Sequence, residues 1–242
     1  MDAVAEVRGR GAYPLGDAAR LAHMPPRTVR RWIEGYDYTH KGERRRSRPI
    51  AYLDGAEKRG RGQPLLDFEE LLTLLLVEAF HRRGLSLSKI KRAAARAKDV
   101  YKIENPFASA KFRSDGNKAF IDLAPKTKGR ERELIDVLSD QHQFREVVEP
   151  SLYKDVVFLG DRAGEWWPLG KDHSVVLDPR RQFGSPHIKG TGIRTDVIAQ
   201  MVGAEGGGPA AIAAAADWFG LGREQVADAV DFEGRWLLER PD

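Results

Sequence analysis

The sequence predicts an α+β protein that is mainly helical and carries small β elements. Apolar residues recur at helical spacing in several segments, and proline and glycine separate these segments. Short stretches rich in aromatic and β-branched residues lie between them. The 242 residues, 41% of them apolar, are enough for one or two domains with packed cores.

The first two predicted helices are short and separated by a tight break. Leu15–Ala22 forms the first, and Pro25 and Pro26 begin a second that ends at Gly35. Arginines cover the outer face of the second helix. Its inner face, at i, i+3, i+4 spacing, consists of Val29, Trp32 and Ile33. This arrangement is typical of a helix-turn-helix, in which Trp32 is interpreted as a core residue; the alternative is a base-stacking group.

A basic, non-helical segment extends from Tyr36 to Leu66. Residues 49–53 read as a short strand between two clusters of cations. A β-hairpin with a basic tip beside a helix-turn-helix is a wing, which contacts phosphates. The clusters consist of Lys41, Arg44, Arg45, Arg46 and Arg48 on one side and Lys58, Arg59 and Arg61 on the other.

Asp67 is predicted to cap a strong helix, with Glu70 completing a capping box. From Leu71 to Phe80 this helix is apolar almost all round, so we expect it to be buried in the core; the alternative is a dimer seam. Ser86 or Ser88 then caps one more helix. Its expected inner face consists of Ile90, Ala93, Ala94 and Ala97.

The rest of the chain divides into a middle region of unknown role and a helical module. Within residues 101–170, an Asp-Gly turn predicts a β-hairpin at 111–123, a helix is predicted at 130–138, and further strands are expected. The last part is predicted to be a three-helix, helix-turn-helix-like module. The predicted domains are 1–100, 101–170 and 171–242, and the module's predicted helices are Thr195–Val202, Ala210–Phe219 and Arg223–Leu238.

The two ends of the chain differ in charge. Residues 1–100 carry 21 Lys and Arg against 13 Asp and Glu, whereas residues 101–242 carry 19 against 23. A polyanion such as nucleic acid would bind the basic part, and the acidic part is better suited to a protein partner.

Several functional classes are excluded or disfavoured. The chain has no cysteine, which excludes disulfides, thiolate metal sites and cysteine nucleophiles. Its longest apolar run, Leu71 to Val77, is far below the ~18 residues of a membrane span, and no signal-peptide pattern is visible, so we expect a cytoplasmic protein. The six histidines lack metal-ligand spacing, and no nucleophile elbow or phosphate loop is present. We expect no enzyme, no metal and no cofactor.

The first 100 residues resemble the winged-helix domain of the MerR family. The order of helix-turn-helix, wing and long helix is shared, and the matching segments are Tyr13–Ala19, Thr28–Trp32, Phe68–Leu71 and Gly84–Ile90. The resemblance implies that the second helix enters the major groove of operator DNA. The implied DNA-binding residues are Arg27, Thr28, Arg30 and Arg31 on the helix, with Arg44, Arg45, Arg46, Arg48, Lys58, Arg59 and Arg61 on the wing. The alternative is that these charges form an ordinary solvated surface.

The last 70 residues resemble the antitoxin-associated domain of unknown function 433. The resemblance rests on fixed proline and glycine positions in the segments Leu177–Pro179, Gly184–Thr191, Ile193 and Leu221–Ala229. The arginine that this family carries after Gly-Thr is replaced by Gly192, with Arg194 two positions on. A chain with both parts resembles a large VapB-type antitoxin.

Such a resemblance implies a PIN-domain ribonuclease toxin as partner and autorepression of the operon. Because a PIN site is a cluster of carboxylates that holds Mg²⁺ or Mn²⁺, the candidate toxin-binding residues are the cations Arg180, Arg181, Lys189 and Arg194. The alternative for these residues is an ordinary surface role. Two operator half-sites imply a homodimer. A second hypothesis is a stand-alone MerR-like regulator whose C-terminal part binds a small effector.

Overall fold

The structure, a computed structural model, describes residues 9–47, 49–50, 53, 64–101, 105–110 and 154–238. Within these ranges helices predominate and the strands form small antiparallel pairs, so the predicted α+β class is confirmed. Some predicted elements lie outside the described residues, namely the hairpin at 111–123 and the helix at 130–138. The three domain limits stay a prediction.

The first two helices are present as predicted. Helix α1 spans Leu15–Leu21 and follows the short strand β1, Tyr13–Pro14; helix α2 spans Pro26–Glu34. Proline suits the first position of α2 because its missing N–H would have no helical partner there. Gly35 ends α2 with φ +76°, and a Cβ at this position would lie 2.4 Å from the carbonyl oxygen of Ser47, so the bend requires glycine. The assignment of this pair to a helix-turn-helix stays a prediction.

The basic hairpin lies in the first part of the segment 36–66 in which the sequence predicts it. Its strands are β2, Tyr36–His40, and β3, Glu43–Ser47, and they are joined at Lys41 and Gly42, both with positive φ. Two consecutive residues with positive φ form a tight hairpin turn whose backbone twist matches the twist of the flanking strands. Residues 49, 50 and 53, which are the described part of the strand predicted at 49–53, do not lie in a strand. Ile50 and Leu53 are buried; the Ile50 N–H donates to the Trp32 carbonyl and the Leu53 N–H to the Ile50 carbonyl.

Two long helices supply the centre of the N-terminal part. Strand β4, Leu65–Leu66, pairs with β1 and leads into α3, Phe68–Arg82. The predicted capping box is present, with Asp67 Oδ1 accepting from the Glu70 N–H at 2.9 Å and Glu70 Oε2 accepting from the Asp67 N–H at 2.8 Å. The inward residues of α3 are buried within the chain itself, as the core interpretation expects. They include Leu71, Leu72, Leu74, Leu76, Val77 and Phe80.

Helix α4, Leu87–Tyr101, continues this core. Ser86 begins it, because its Oγ accepts a hydrogen bond from the Lys89 N–H at 3.3 Å. Ile90, Ala93 and Ala94 are fully buried, as predicted.

The C-terminal part begins with four short strands that follow one another along the chain. They are β5, Val156–Leu159; β6, Arg162–Trp166; β7, Val175–Val176; and β8, His187–Ile188. β5 pairs with β6 and β7 with β8, and reciprocal backbone hydrogen bonds between Trp166 and Leu177 join the two pairs. The ends of β6, β7 and β8 therefore lie side by side.

Three helices complete the fold, and all three were predicted. They are α5, Thr195–Ala204; α6, Gly208–Phe219; and α7, Arg223–Leu238. They pack against one another around Ile198, Ala215 and Val226, all fully buried. None of the helices in the described ranges has the length and apolar character needed to span a bilayer.

The two ends of the chain share one core. The Tyr13 hydroxyl donates to the Gly184 carbonyl at 2.9 Å, and the Ala12 N–H donates to the Phe183 carbonyl at 2.8 Å. Burial, with the charges of Asp67 and Asp178, holds the pKa of Tyr13 well above its usual range, so this hydroxyl stays protonated. The C-terminal module is thus fixed directly against the first strand of the N-terminal part.

A buried carboxylate makes a second link between the ends. Glu233 on α7 accepts from Arg20 of α1 at 2.9 Å and from the Thr195 hydroxyl at 2.6 Å. One side chain therefore ties α1 to both α5 and α7.

Candidate nucleic-acid interface and cationic cleft

The predicted DNA-binding residues of α2 lie mainly on its outer side. Arg27 is exposed at the start of the helix, and Thr28 is half-buried. Arg30 forms an i, i+4 ion pair with Glu34 at 2.8 Å, and the Arg31 guanidinium lies over the Tyr36 ring at 4.0 Å. Trp32 is buried, with its ring edge-on to His81 at 5.9 Å, so it is a core residue as interpreted from the sequence.

The hairpin arginines are exposed, and their partners within the described ranges lie close to them in sequence. Arg44 pairs with Asp37 at 3.0 Å and Arg45 with Glu43 at 3.0 Å. Arg46 lies 3.9 Å from Asp37 and donates to the Glu34 carbonyl at 3.4 Å. Ion pairs this exposed contribute about 0–1 kcal/mol, so a phosphate can replace the carboxylate at little cost.

Helix α2 and the hairpin adjoin and form one basic region. Its hairpin arginines project on both sides of the two strands, Arg45 on the side of Tyr38 and Arg44 and Arg46 on the side of Asp37. Only Gly35 separates the helix from the hairpin, and both Arg31 over Tyr36 and Arg46 at the Glu34 carbonyl bridge the junction. We call this region the basic face and define it as Arg27, Arg30, Arg31, Arg44, Arg45 and Arg46. The structure thus joins the arginines of α2 with those of the hairpin, whereas the sequence shows only that the two groups are close along the chain. The other predicted wing cations, Arg48, Lys58, Arg59 and Arg61, lie outside the described residues.

A second charged site lies where β6, β7 and β8 end. It is a cleft of about 480 Å³, which we call the cationic cleft, lined by Glu165, Asp178, Arg180, Arg181, His187, Lys189 and Gly190. Three of the four predicted toxin-binding cations line it. The fourth, Arg194, is not among its lining residues and pairs with Asp196 at the start of α5.

Most of the charge in the cationic cleft is compensated. The Arg180 guanidinium makes two hydrogen bonds to Asp178, at 2.8 and 3.0 Å, and the Lys189 ammonium lies 2.6 Å from Glu165. Burial alone would raise the pKa of Asp178, but the hydrogen bonds and charge of Arg180 hold it below its usual value. Arg181 is exposed, and no described residue forms a hydrogen bond or ion pair with its guanidinium. Arg181 is therefore the cation available to an incoming group.

His187 at the floor of the cationic cleft is a candidate that the sequence did not reveal. Its side chain is fully buried, and its Nδ1–H donates to the Ser185 carbonyl at 2.9 Å. Burial is the main cause that lowers its pKa, with the charges of Arg181 and Lys189 acting in the same direction. The ring is therefore neutral, and its Nε2 carries a lone pair that finds no hydrogen-bond partner within the described structure. The sequence shows only a histidine without metal-ligand spacing.

His173 lies in the turn before β7 and is 44% exposed. Its Nδ1 lies 2.8 Å from Asp228 of α7. The Ser174 N–H donates to the same carboxylate at 2.7 Å. The contact anchors the turn before β7 to α7.

Similarity to known proteins supports a VapB-type antitoxin as the class of this chain. Over 244 residues it is 28% identical to the Mycobacterium tuberculosis (strain H37Rv) protein named "Putative antitoxin VapB45", covering 90% of this chain and 92% of that protein. The "Uncharacterized protein Rv2308" of the same strain is 23% identical, with 98% and 96% of the two chains covered.

The fold as a whole has a solved counterpart. The crystal structure of Rv2018 from M. tuberculosis aligns with a TM-score of 0.63 at 22% identity, covering 90% of this chain and 97% of that one. At this level of identity the likeness concerns the fold alone. No protein-family model matches the sequence.

Proposed function

We propose that this chain is the antitoxin of a type II toxin–antitoxin system, which neutralises a PIN-domain ribonuclease and represses its own operon. The similarity to the protein named as antitoxin VapB45, extending over nine-tenths of both chains, is the observation that carries this proposal. It acts by binding and not by catalysis. Its partners are operator DNA and the toxin, and it works as a homodimer because an operator presents two half-sites.

The basic face supports the DNA-binding part of the proposal. Six arginines lie on one helix and the adjoining hairpin. The carboxylates that pair with Arg30, Arg44 and Arg45 are close in sequence and at least partly exposed, so duplex phosphates can displace them. Arginine can also read guanine through two parallel hydrogen bonds. Retention of the protein's own promoter in a gel shift tests this part.

The cationic cleft supports the toxin-binding part. It lies in the C-terminal module, at the far end of the chain from the basic face, and its arginines and lysine suit carboxylates of a nuclease. The test is RNA cleavage by the protein encoded in the neighbouring reading frame, with and without an equimolar amount of this chain. The proposal expects cleavage to stop, and undiminished cleavage by a toxin shown to be active alone would contradict it.

A small effector is the second candidate function, and one observation favours it. A cavity of about 250 Å³ lies between the N-terminal part and β6, with Arg10, Asp67, Glu69 and Arg162 on its walls. Both arginines are paired, Arg10 with Asp67 at 2.9 Å and Arg162 with Glu69 at 2.6 Å. A regulator of this kind would change its promoter affinity when the effector binds, and it would have no nuclease partner.

A further inference from the structure

The cationic cleft contains an unsatisfied acceptor as well as an available cation. Nε2 of His187 is buried and has no hydrogen-bond partner among the described residues, and leaving a buried polar atom unpaired is unfavourable. The Ser185 carbonyl fixes the tautomer, so Nε2 can only accept. A ligand that donates one hydrogen bond here would remove this cost.

The charges of the cleft define the rest of the ligand. Arg180 and Lys189 are held by Asp178 and Glu165, which leaves the positive charge of Arg181 to be matched. A group with one negative charge fits this balance. A polyanion does not, because the two carboxylates would lie against it.

The surroundings favour a protein over a small molecule. Phe183, two residues beyond Arg181, is 54% exposed on the short 3₁₀ turn Gln182–Gly184. Exposed aromatic residues and arginines are both enriched at protein–protein interfaces. The Phe183 and Gly184 carbonyls accept from Ala12 and Tyr13, so this turn is held in place before any partner arrives.

We propose that the cationic cleft receives an acidic segment of the partner protein, whose carboxylate pairs with Arg181 while an adjacent N–H or O–H donates to Nε2 of His187. This rests on the proposed function in taking the partner to be the toxin. The proposal adds the chemistry of the contact. His187 is the buried acceptor, and it selects partners that carry a hydrogen-bond donor next to the carboxylate. A carboxylate alone satisfies only half of the site.

The test follows the His187 ring nitrogens by NMR in the full-length chain labelled with ¹⁵N-histidine. The probe is the peptide acetyl-Gly-Asp-Ser-Gly-amide, and the control peptide carries Asn in place of Asp. We expect the Nε2 resonance of His187 to move with the Asp peptide at millimolar concentration and to stay in place with the Asn peptide. His187→Asn assigns the resonance, and it keeps a donor near the Ser185 carbonyl while removing Nε2.

Matched variants make the test decisive. Arg181→Gln should weaken Asp-peptide binding at least about tenfold, the amount expected for a charge-assisted hydrogen bond. Arg223→Gln removes an exposed arginine outside the cleft and should bind the peptide like the wild type. Arg181 is exposed, so its variant is informative even if His187→Asn does not fold.

Three outcomes would overturn the inference. They are a His187 resonance that ignores the Asp peptide, equal responses to both peptides, or a response only to a 5′-phosphorylated dinucleotide, which would mean a nucleic-acid site. Because the probe is a peptide, this result does not depend on toxin neutralisation. A failure of the proposed function in the RNA-cleavage assay is therefore distinguishable from a failure at the cleft.

Discussion

The basic face and the cationic cleft use the same residue types in opposite ways. On the basic face, arginines pair with exposed carboxylates a few residues away, as Arg44 does with Asp37. In the cleft, Arg180 and Lys189 are held by Asp178 and Glu165, whose side chains are only 5% and 12% exposed. The first arrangement leaves many cations free to move onto a polyanion. The second fixes the cations and leaves Arg181 and His187 to define a single point of contact.

This comparison separates two kinds of recognition. Exposed arginines supply affinity that depends on salt and on the number of phosphates neutralised. A buried, oriented acceptor beside one cation instead supplies selectivity, because the wrong ligand leaves it unpaired.

The largest expected effect is on stability, at the turn that carries the cleft loop. A Cβ at Gly184 would lie 2.2 Å from the Tyr13 hydroxyl oxygen, and its φ of +84° disfavours any other residue. Gly184→Ala should lower the free energy of unfolding by about 3 kcal/mol or more. In the hairpin, Gly42→Ala has a similar φ of +80° but open space around it, so the loss should be about 1 kcal/mol. Urea denaturation measures both, and equal losses would contradict the close packing at Tyr13.

The next effect concerns DNA. Arg44→Gln, Arg45→Gln and Arg46→Gln together should reduce promoter affinity by about a hundredfold, and they should flatten the dependence of log K on log salt by about three units. The control removes three exposed cations from the C-terminal part: Lys171→Gln, Arg223→Gln and Arg235→Gln. This control loses the same charge, so a similar loss of promoter affinity in both proteins would show a general charge effect and no defined face.

A smaller effect is expected at the link between α1 and α7. Glu233→Gln keeps the shape of a buried side chain but removes the charge that Arg20 and Thr195 contact, which should cost about 1–2 kcal/mol. Asp231→Asn on the same helix breaks an exposed pair with Arg235 and should change stability by less than about 0.5 kcal/mol. Thermal unfolding of the two variants compares them directly. A larger loss in Asp231→Asn would contradict the buried link.

The smallest effect is a pH dependence that arises from His187. Burial lowers its pKa below the ordinary value of 6.5, so the unfolded chain takes up this proton at a higher pH than the folded chain. The stabilisation is complete above pH 6.5 and decreases as the pH falls through that value toward the folded pKa. Arg181 and Lys189 lower this pKa further, and Asp178 and the Ser185 carbonyl oppose them. His187→Asn should lose less stability than the wild type between neutral pH and mild acid. Parallel denaturation curves for the two proteins would contradict this.

Local chemistry made most of the helices predictable. Asp67 and Glu70 form the capping box that their spacing implies, and Arg223–Leu238 has the predicted bounds. The strand was predicted at residues 49–53 because that segment looks like a strand by composition, whereas of the observed strands β2 and β3 the second is mostly charged. Their position depends on the Lys41-Gly42 turn, which has a weaker signal in the sequence.

Long-range contacts explain what the sequence could not reveal about the sites. Tyr13 and Gly184 are 171 residues apart and Arg20 and Glu233 are 213 apart, and no local pattern links them. Three predicted cations line the cationic cleft. Glu165 forms ion pairs with two of them, Arg180 and Lys189, but no sequence pattern identifies Glu165 as part of the site. The buried Nε2 of His187, which has no hydrogen-bond partner among the described residues, is identified as an acceptor only because the Ser185 carbonyl fixes the tautomer of the ring.

The central claim is that one chain carries two separable sites, a DNA face at its beginning and a partner cleft near its end. It is tested most directly by measuring promoter binding and toxin neutralisation in the same two variants. The triple hairpin variant Arg44→Gln, Arg45→Gln, Arg46→Gln should lose the promoter and still stop RNA cleavage. Arg181→Gln should retain the promoter and neutralise the toxin poorly. Loss of both activities in each correctly folded variant, or of neither, would contradict the account.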